Sequence, residues 1–317
     1  MSEQAQSLAA PAGDFVLPFD IAKAGVRGRL VRLATASAQA LAAHALPEPA
    51  ARVAGEALAL AALLGSALKL DGRLTVQTKG AGPLDIVTAD YYGSSPPKDG
   101  SEDDGARSRG VRGYARLDAD RFAALDHPAF PQLAGEGVLA ITIEPQRGGQ
   151  TYQGIVELSA DGLAASAETY FTQSEQLPTV IRLAAAPLYV AGSKTPHWRA
   201  AGLMLQMTPE ASKAPGRNED DWERLSILAR TVEDLELVDT ELSPETVLWR
   251  LFHEDEVRVQ PVEPVSFRCD CDASRITGVL KSYAPAERAG LADSDGIIRA
   301  RCEFCGTTHE IGPEALA

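Results

Sequence analysis

Four cysteines, all in the last fifty residues of a 317-residue chain, constrain what this sequence can build. They fall as Cys269-Asp270-Cys271 and, after an interval of 30 residues, Cys302-Glu303-Phe304-Cys305. No thiol precedes them. Two close pairs supply the ligand number and chemistry of a closed tetrahedral zinc site. The same pairs are close enough along the chain to become two local disulfides. The second pair lies between a strand-like run, Gly296 to Arg301, and an extended segment, Thr307 to Ile311. Strand, C-x-x-C-Gly and strand is the pattern of a zinc knuckle on a hairpin, with Gly306 letting the backbone turn its N–H groups toward sulfur. A thioredoxin-type C-x-x-C would instead open a helix inside a βαβ unit, and Gly306-Thr-Thr-His309 is a poor helix start. Four cysteines already fill a tetrahedron, so His309 is read as a neighbour of the site rather than a ligand.

Composition narrows the partners. The formal charge is −14, and phosphate binding needs clustered Lys and Arg, so no nucleic-acid partner is expected. From Val265 to Ala317 there are six Lys/Arg and eight Asp/Glu, where a nucleic-acid-binding ribbon would be basic. The sequence reads as carrying no apolar run of the roughly 18–20 residues that cross a bilayer. The N-terminus, Met-Ser-Glu-Gln-Ala-Gln, lacks the features of a signal peptide. A cytoplasmic protein with no membrane partner is expected, in a compartment where clustered thiols stay reduced and bind metal or sense oxidants.

The hydrophobic fraction, 45% with 6% aromatics, supports a core of Ala, Leu and Val. The fold class expected is α+β: a large mixed α/β core, a helical linker and a small C-terminal zinc-binding domain. Residues 1–13 read as a loose tail, 14–208 as the core, 209–264 as the linker and 265–317 as the zinc module. Helices are expected over Leu33–Leu46 and Ala50–Leu70, the second with a broad apolar stripe. Strands follow at Leu74–Thr78, Leu84–Tyr92, Val111–Leu117, Val138–Glu144 and Tyr152–Leu158, the last two forming a hairpin. A helix at Leu163–Ser174 and strands near Thr179–Leu183 and Gly202–Met207 complete the core. Gly93 to Gly110, rich in Ser, Pro, Asp and Gly, reads as a surface excursion. Pro209 to Asp221 is polar and linker-like.

Two short helices close the linker. Trp222 to Val232 carries Trp222, Leu225 and Leu228 on one face. Ser243 to His253 opens with Ser243 as N-cap and Pro244 at N1, and carries Val247, Leu248, Leu251 and Phe252. Helices of about ten residues are not stable alone in water, so their order must come from docking. The zinc module faces a similar limit. A core of some fifty residues contributes about 3–5 kcal/mol, against apparent values of about 10–16 kcal/mol for a structural zinc, so removing the metal should unfold it. The remaining histidines are scattered, and no nucleophile–base pair, phosphate loop or metalloprotease helix appears, so no enzyme activity is expected.

With these residues in view, the chain resembles the heat shock protein 33 family of redox-regulated bacterial holdase chaperones. The resemblance lies in the C-x-C…C-x-x-C array and its interval, in Val247-Leu-Trp-Arg-Leu-Phe-His-Glu-Asp-Glu256, and in Tyr170-Phe-Thr-Gln-Ser-Glu-Gln-Leu-Pro-Thr179. Thr75-Val-Gln77, Gly82-Pro-Leu84, Arg112-Gly-Tyr-Ala115 and Tyr152-Gln-Gly-Ile-Val156 also match. The resemblance implies an ATP-independent chaperone, inactive with one zinc bound by Cys269, Cys271, Cys302 and Cys305. It further implies oxidation first to a Cys302–Cys305 disulfide with zinc release, then to Cys269–Cys271 as the linker unfolds. Unfolded client proteins would be the partners, and a reduced monomer would become an oxidised homodimer. Three departures stand out: the 93–110 segment looks like an insertion, Asp272-Ala-Ser274 replaces the family's usual Ser-Arg-Glu, and His309 stands where an aromatic is common. The alternative is a zinc ribbon with a static structural metal that docks nucleic acid or protein.

Overall fold

The computed structural model describes residues 13–68, 70–94, 108–146, 149–193, 195–213 and 219–316. Strand β1 (Phe15–Ile21) returns as β2 (Val26–Leu33), followed by α1 (Thr35–Ala42) and α2 (Glu48–Ala67). Strands β3 (Gly72–Gly80), β4 (Leu84–Tyr92) and β5 (Gly110–Leu117) then form a meander. Two short helices, α3 (Ala119–Ala123) and α4 (Phe130–Ala134), lead to the hairpin β6 (Gly137–Pro145) and β7 (Tyr152–Glu157). Helix α5 (Leu163–Tyr170) and the long hairpin β8 (Thr179–Leu188) and β9 (His197–Met207) follow. The next segment carries α6 (Pro209–Ser212), α7 (Glu219–Arg230), α8 (Asp234–Val238) and α9 (Pro244–Phe252). Three two-residue strands, β10 (Arg258–Val259), β11 (Glu263–Pro264) and β12 (Ser266–Phe267), precede α10 (Ala273–Lys281), α11 (Pro285–Leu291) and the hairpin β13 (Ile298–Arg301) and β14 (Thr308–Ile311).

The strands form two large sheets. One runs β10-β1-β2-β9-β8, with β11 also on β1; the other runs β12-β5-β4-β3-β6-β7. Helix α2 lies between them, packing on β2, β8 and β9 of the first sheet and β3, β4 and β5 of the second. Burial on all sides explains its Ala- and Leu-rich sequence: fifteen of its twenty residues are buried. Small side chains let the sheets close in. A Cβ on Gly65 would stand 2.1 Å from the Tyr91 ring, and one on Gly55 2.7 Å from Ala185. By length and composition α2 could cross a bilayer, which corrects the sequence reading, but it is the enclosed centre of this fold. The α+β class is as expected.

The first sheet is apolar on both faces. Val16, Val31, Leu33, Ile181 and Met204 face α2. Phe15, Leu17, Phe19, Ile21, Leu30, Leu203 and Leu205 face the other way, and there Leu225, Leu237, Val247, Leu248, Leu251 and Phe252 pack on them. Two apolar faces erase the period-two alternation that marks a half-buried strand. That is why β1, β2 and the outer halves of β8 and β9 escaped the sequence reading.

Other boundaries also moved. Leu33 ends β2 rather than opening a helix, and α2 starts at Glu48 and stops at Ala67. Helix α7 begins three residues before Trp222, at an acidic first turn that suits the helix dipole. Helix α5 ends at Tyr170 and the chain continues as a π-turn over Phe171–Glu175. Helices α8 and α11, of five and seven residues, are too short to show a helical period, while α10 carries Ile276, Val279 and Leu280 at helical spacing and was overlooked. The 93–110 excursion ends before Gly110, which starts β5; its residues 95–107, like most of the 1–13 tail and residues 214–218, lie outside the described set.

One polar contact fastens α8 and α9 to the sheet. Arg32, on β2 and only 4% exposed, donates to the carbonyl oxygens of Leu237 (2.8 Å), Glu236 (3.0 Å) and Leu242. The first two are orphan acceptors at the C-terminal end of α8. Burial pulls the guanidinium pKa down to about 10, while Asp239 and Glu245 act in the opposite sense. It therefore stays charged at neutral pH. Ser243 caps α9 as expected, its Oγ accepting from the Thr246 N–H.

Arg32→Met keeps the bulk and removes three charge-assisted hydrogen bonds. The helices should lose about 2–4 kcal/mol of docking free energy, seen as at least tenfold faster amide exchange across 219–252. Exchange at the wild-type rate would mean that the clamp contributes nothing.

Candidate metal centre

The C-terminal module has a very small core. Leu280, Ile298 and Ile311 are its buried hydrophobic residues, with Ile276, Ala292, Ala300 and Leu316 packed at the margin. Its local structure is built around the cysteines instead. Asp272, directly after Cys271, caps α10 by accepting from the Arg275 N–H at 2.8 Å. At the other end β13 and β14 pair from Ile298↔Ile311 to Arg301↔Thr308. Beyond that register the turn closes with Cys302 N–H on Thr307 O (2.8 Å) and Gly306 N–H on Cys302 O (2.9 Å). Gly306 takes φ 72, a left-handed conformation that only glycine adopts without strain. This is the knuckle geometry anticipated from the sequence.

The four sulfurs lie within 4.8 Å of one another. Cys269 and Cys302 Sγ are 3.7 Å apart, and Cys271 and Cys305 Sγ 3.4 Å. Zinc–thiolate bonds of about 2.3 Å in a tetrahedron set sulfurs roughly 3.8 Å apart, so the donor set fits such an ion. All four residues are half-buried, within reach of solvent. His309 Nε2 sits 3.3 Å from Cys271 Sγ, against one ligand atom and outside the group of four, as read from the sequence.

The four thiols are electrostatically unequal. Burial opposes ionisation of Cys305, but the Thr307 hydroxyl and N–H outweigh it and bring its pKa down to about 6. Cys305 Sγ and Thr307 Oγ1 are 3.2 Å apart. Burial raises Cys269 and Cys271, and for Cys271 the neighbouring thiols push the same way. The Thr307 hydroxyl and N–H thus favour the thiolate at Cys305, in the C-x-x-C pair, while burial disfavours it at Cys269 and Cys271.

The module sits against the second sheet. Phe304, inside the C-x-x-C turn, packs edge-on to Tyr114 of β5 with centroids 5.1 Å apart. The Arg112 guanidinium stands 3.8 Å over its ring. Arg301 donates to Ala43 O at 2.6 Å, just past α1. A strap from the docked helices leads into the site: β10 and β11 pair with β1, and β12 pairs parallel to β5. Arg268, next to Cys269, completes it with its N–H on Val111 O at 2.9 Å.

The structure thus brings the four predicted ligands together. Trp222, Leu225, Leu228, Val247, Leu248, Leu251 and Phe252 also meet, in the cluster on the outer face of the first sheet and not at the cysteines. Arg32, Arg112, Tyr114 and Phe304 were missed as contact residues. A charged residue inside an apolar strand was the available signal for Arg32 and Arg112.

Comparison with known proteins places the chain. The family model described as "Hsp33 protein" matches residues 14–312. The chain belongs to the Hsp33 family. The 33 kDa chaperonin of Caulobacter vibrioides is 38% identical over 304 residues, covering 95% of each chain. That of Ectopseudomonas mendocina is 36% identical over 306 residues, covering 96% of this chain and 94% of the relative. The crystal structure of the Hsp33 homologue from Thermotoga maritima shares the fold: its TM-score is 0.71 at 22% identity, over 95% of this chain and 96% of that one.

Metal binding at this Hsp33 site must displace the protons held by the raised thiols. Zinc uptake at neutral pH should release protons, those of the raised Cys269 and Cys271 thiols among them, and apparent affinity should climb as pH rises. Calorimetry in buffers of different ionisation enthalpy checks this; proton-neutral binding would contradict the thiol assignment.

Proposed function

We propose that this chain is a redox-regulated, ATP-independent holdase, kept inactive by one zinc ion on Cys269, Cys271, Cys302 and Cys305. Membership of the Hsp33 family, whose curated relatives are named 33 kDa chaperonins, supports a chaperone rather than an enzyme. The observation that carries the finer reading is the dependence of the module on its sulfurs. A core of three buried side chains cannot hold some fifty residues folded, so metal ligation supplies the stability. Zinc, when bound, supplies a tetrahedral cross-link and holds the sulfurs as thiolates.

Oxidation removes that cross-link. Two cysteine thiolates and hydrogen peroxide, with two protons taken up, give one S–S bond and two waters. Peroxide can reach these thiolates because all four cysteines are only half-buried. Sulfur distances do not choose the pairing, since the short contacts run between the two motifs. The resemblance to Hsp33 implies Cys302–Cys305 first and Cys269–Cys271 later, each within a pair adjacent along the chain. Unfolding then frees the strap, and the α7–α9 helices lose one of their anchors. The surface they leave includes Phe15, Leu17, Phe19, Leu30 and Leu203, a contiguous apolar patch suited to unfolding clients. Residues 14–208 act as the client-binding core, 209–264 as the metastable linker and 265–317 as the switch. The protein works in the cytoplasm, monomeric when reduced and dimeric when oxidised.

A static zinc ribbon that docks nucleic acid is disfavoured by the local charge. Arg268 is paired with Asp270, and Arg112 with Asp90, so neither presents a free cation to phosphate.

The test follows zinc release and suppression of aggregation of a heat-unfolded client, before and after peroxide at elevated temperature. Activity should appear only with zinc loss and thiol oxidation. Equal activity with zinc bound and thiols reduced would sink the switch. Leu248→Asp or Phe252→Asp, which buries a carboxylate at a cost of several kcal/mol, should give client binding without oxidant. Variants that stay folded and inactive would rule out control by docking.

A further inference from the structure

We propose that Arg112, a residue of the core sheet, holds the four-cysteine centre from outside its ligand set, with Phe304 as the hinge pin between them. This inference rests on the zinc-bound resting state proposed above and assigns roles in it to two residues that bind no metal.

Arg112 is fixed from the core side. Its Nε and Nη2 both approach Asp90 Oδ2 at 2.8 Å. Asp90 is 2% exposed and also accepts from Thr75 Oγ1 at 2.6 Å, with an Arg73 guanidinium nitrogen 3.8 Å away. A buried carboxylate with these partners sets the position of the guanidinium whether or not the module is folded. The flat faces of that guanidinium remain available. Phe304 takes one contact at 3.8 Å, while Tyr92 lies 5.3 Å away and carries Arg268 at 4.6 Å. The result is a ladder of Arg268, Tyr92, Arg112 and Phe304 running from the first cysteine pair to the second.

The ladder touches both pairs. Arg112 also hydrogen-bonds the Cys269 side chain, which places a permanently charged guanidinium beside that sulfur. Arg268 precedes Cys269 in the chain, and Phe304 lies between Cys302 and Cys305. A zinc ion on four thiolates carries a net charge of about −2, and a donor cation outside the ligand shell steadies such a site and the orientation of its ligands. Asp90 and Asp270 offset part of the positive charge, so contact and geometry matter as much as charge. Phe304 sits in the same four-residue turn as Cys302 and Cys305, so its contact with Arg112 steadies the turn that carries both sulfurs. Conversely, closing a Cys302–Cys305 bond must re-form the turn that aims the ring.

The core thereby sets how tightly the module keeps its metal. Zinc transfer from the reduced full-length protein to a chromophoric chelator, without oxygen or client, reads this directly. Phe304→Ala should speed release at least tenfold while leaving the thermal unfolding of the core unchanged, because the Arg112–Asp90 pair stays intact. Phe304→Tyr should restore the wild-type rate. Arg112→Lys, which keeps charge and loses the planar stack, should fall between. Arg112→Met should release fastest, although it leaves Asp90 short of a partner and lowers core stability too, so Phe304→Ala is the deciding variant. The double variant should fall short of the product of the two single effects, since the shared Arg112–Phe304 contact is lost only once, while Phe304 alone touches Tyr114 and Arg112 alone hydrogen-bonds Cys269. Release from Phe304→Ala at the wild-type rate would overturn the inference while leaving the zinc-bound resting state standing. A wild type that takes up no zinc would overturn both.

Discussion

The structure depends on a sheet that has no polar face. Strands β1, β2, β9 and β8 present Val16, Val31 and Leu33 to one side and Phe15, Leu17, Phe19 and Leu30 to the other. A sheet of this kind must be covered twice. Helix α2 provides one cover permanently, enclosed between the sheets. The other cover is three short helices, none stable by itself, held by an apolar seam and the Arg32 clamp. The same side chains therefore serve two ends. While covered they complete the core, and when uncovered they form a large adhesive surface. On the proposed function no separate client site would have to be built; this one would only be unwrapped.

The cysteines reach that cover through a strap of short strands. Residues 258–268 pair two at a time with β1 and β5, and isolated hydrogen bonds such as Gln260 N–H on Pro18 O and Val265 N–H on Asp14 O fill the gaps. Asp14 also holds the start of α1, its carboxylate accepting from the N–H groups of Ala34, Thr35 and Ala36. Two-residue strands have little stability of their own. They persist because both ends are pinned, by α9 on one side and by Arg268, Cys269 and the metal centre on the other. Losing either pin leaves a strap that frays.

Much of the site was legible in the sequence because its chemistry is local. Two cysteine pairs, Gly306 and the strand-like runs beside it lie within a few residues of one another and specify a knuckle without reference to the rest. Helix α9 was legible for the same reason, through Ser243, Pro244 and its apolar positions. What escaped depends on partners distant in the chain. Arg32 meets carbonyl groups some 205 residues away, and Phe304 meets Arg112 across the two parts of the fold. Strands β1 and β2 were hidden by burial on both faces, which removes the alternation that a single apolar face would print. Helix α11 is only seven residues long and buries none of them, so it leaves little periodic signal, whereas α10 carries Ile276, Val279 and Leu280 at helical spacing, a signal that was there to be read.

The two fastenings differ in chemistry, and this gives the proposed switch its logic. The metal centre is held by thiolates, which oxidants consume and moderate warming does not. The helical cover is held by apolar contact and backbone hydrogen bonds, which oxidants do not touch and warming weakens, because short docked helices gain much chain entropy on release. Oxidation alone removes the pin from the strap yet leaves the seam of Leu248, Leu251 and Phe252 in place. Heat alone strains the seam while the strap still ties its far end to β5 and the cysteines. Together they leave the cover with no anchor on the metal side and a weakened one on the sheet. In the proposed switch a surface suited to unfolding proteins would then be uncovered under the conditions that produce them, because the two fastenings sit at different places along one chain.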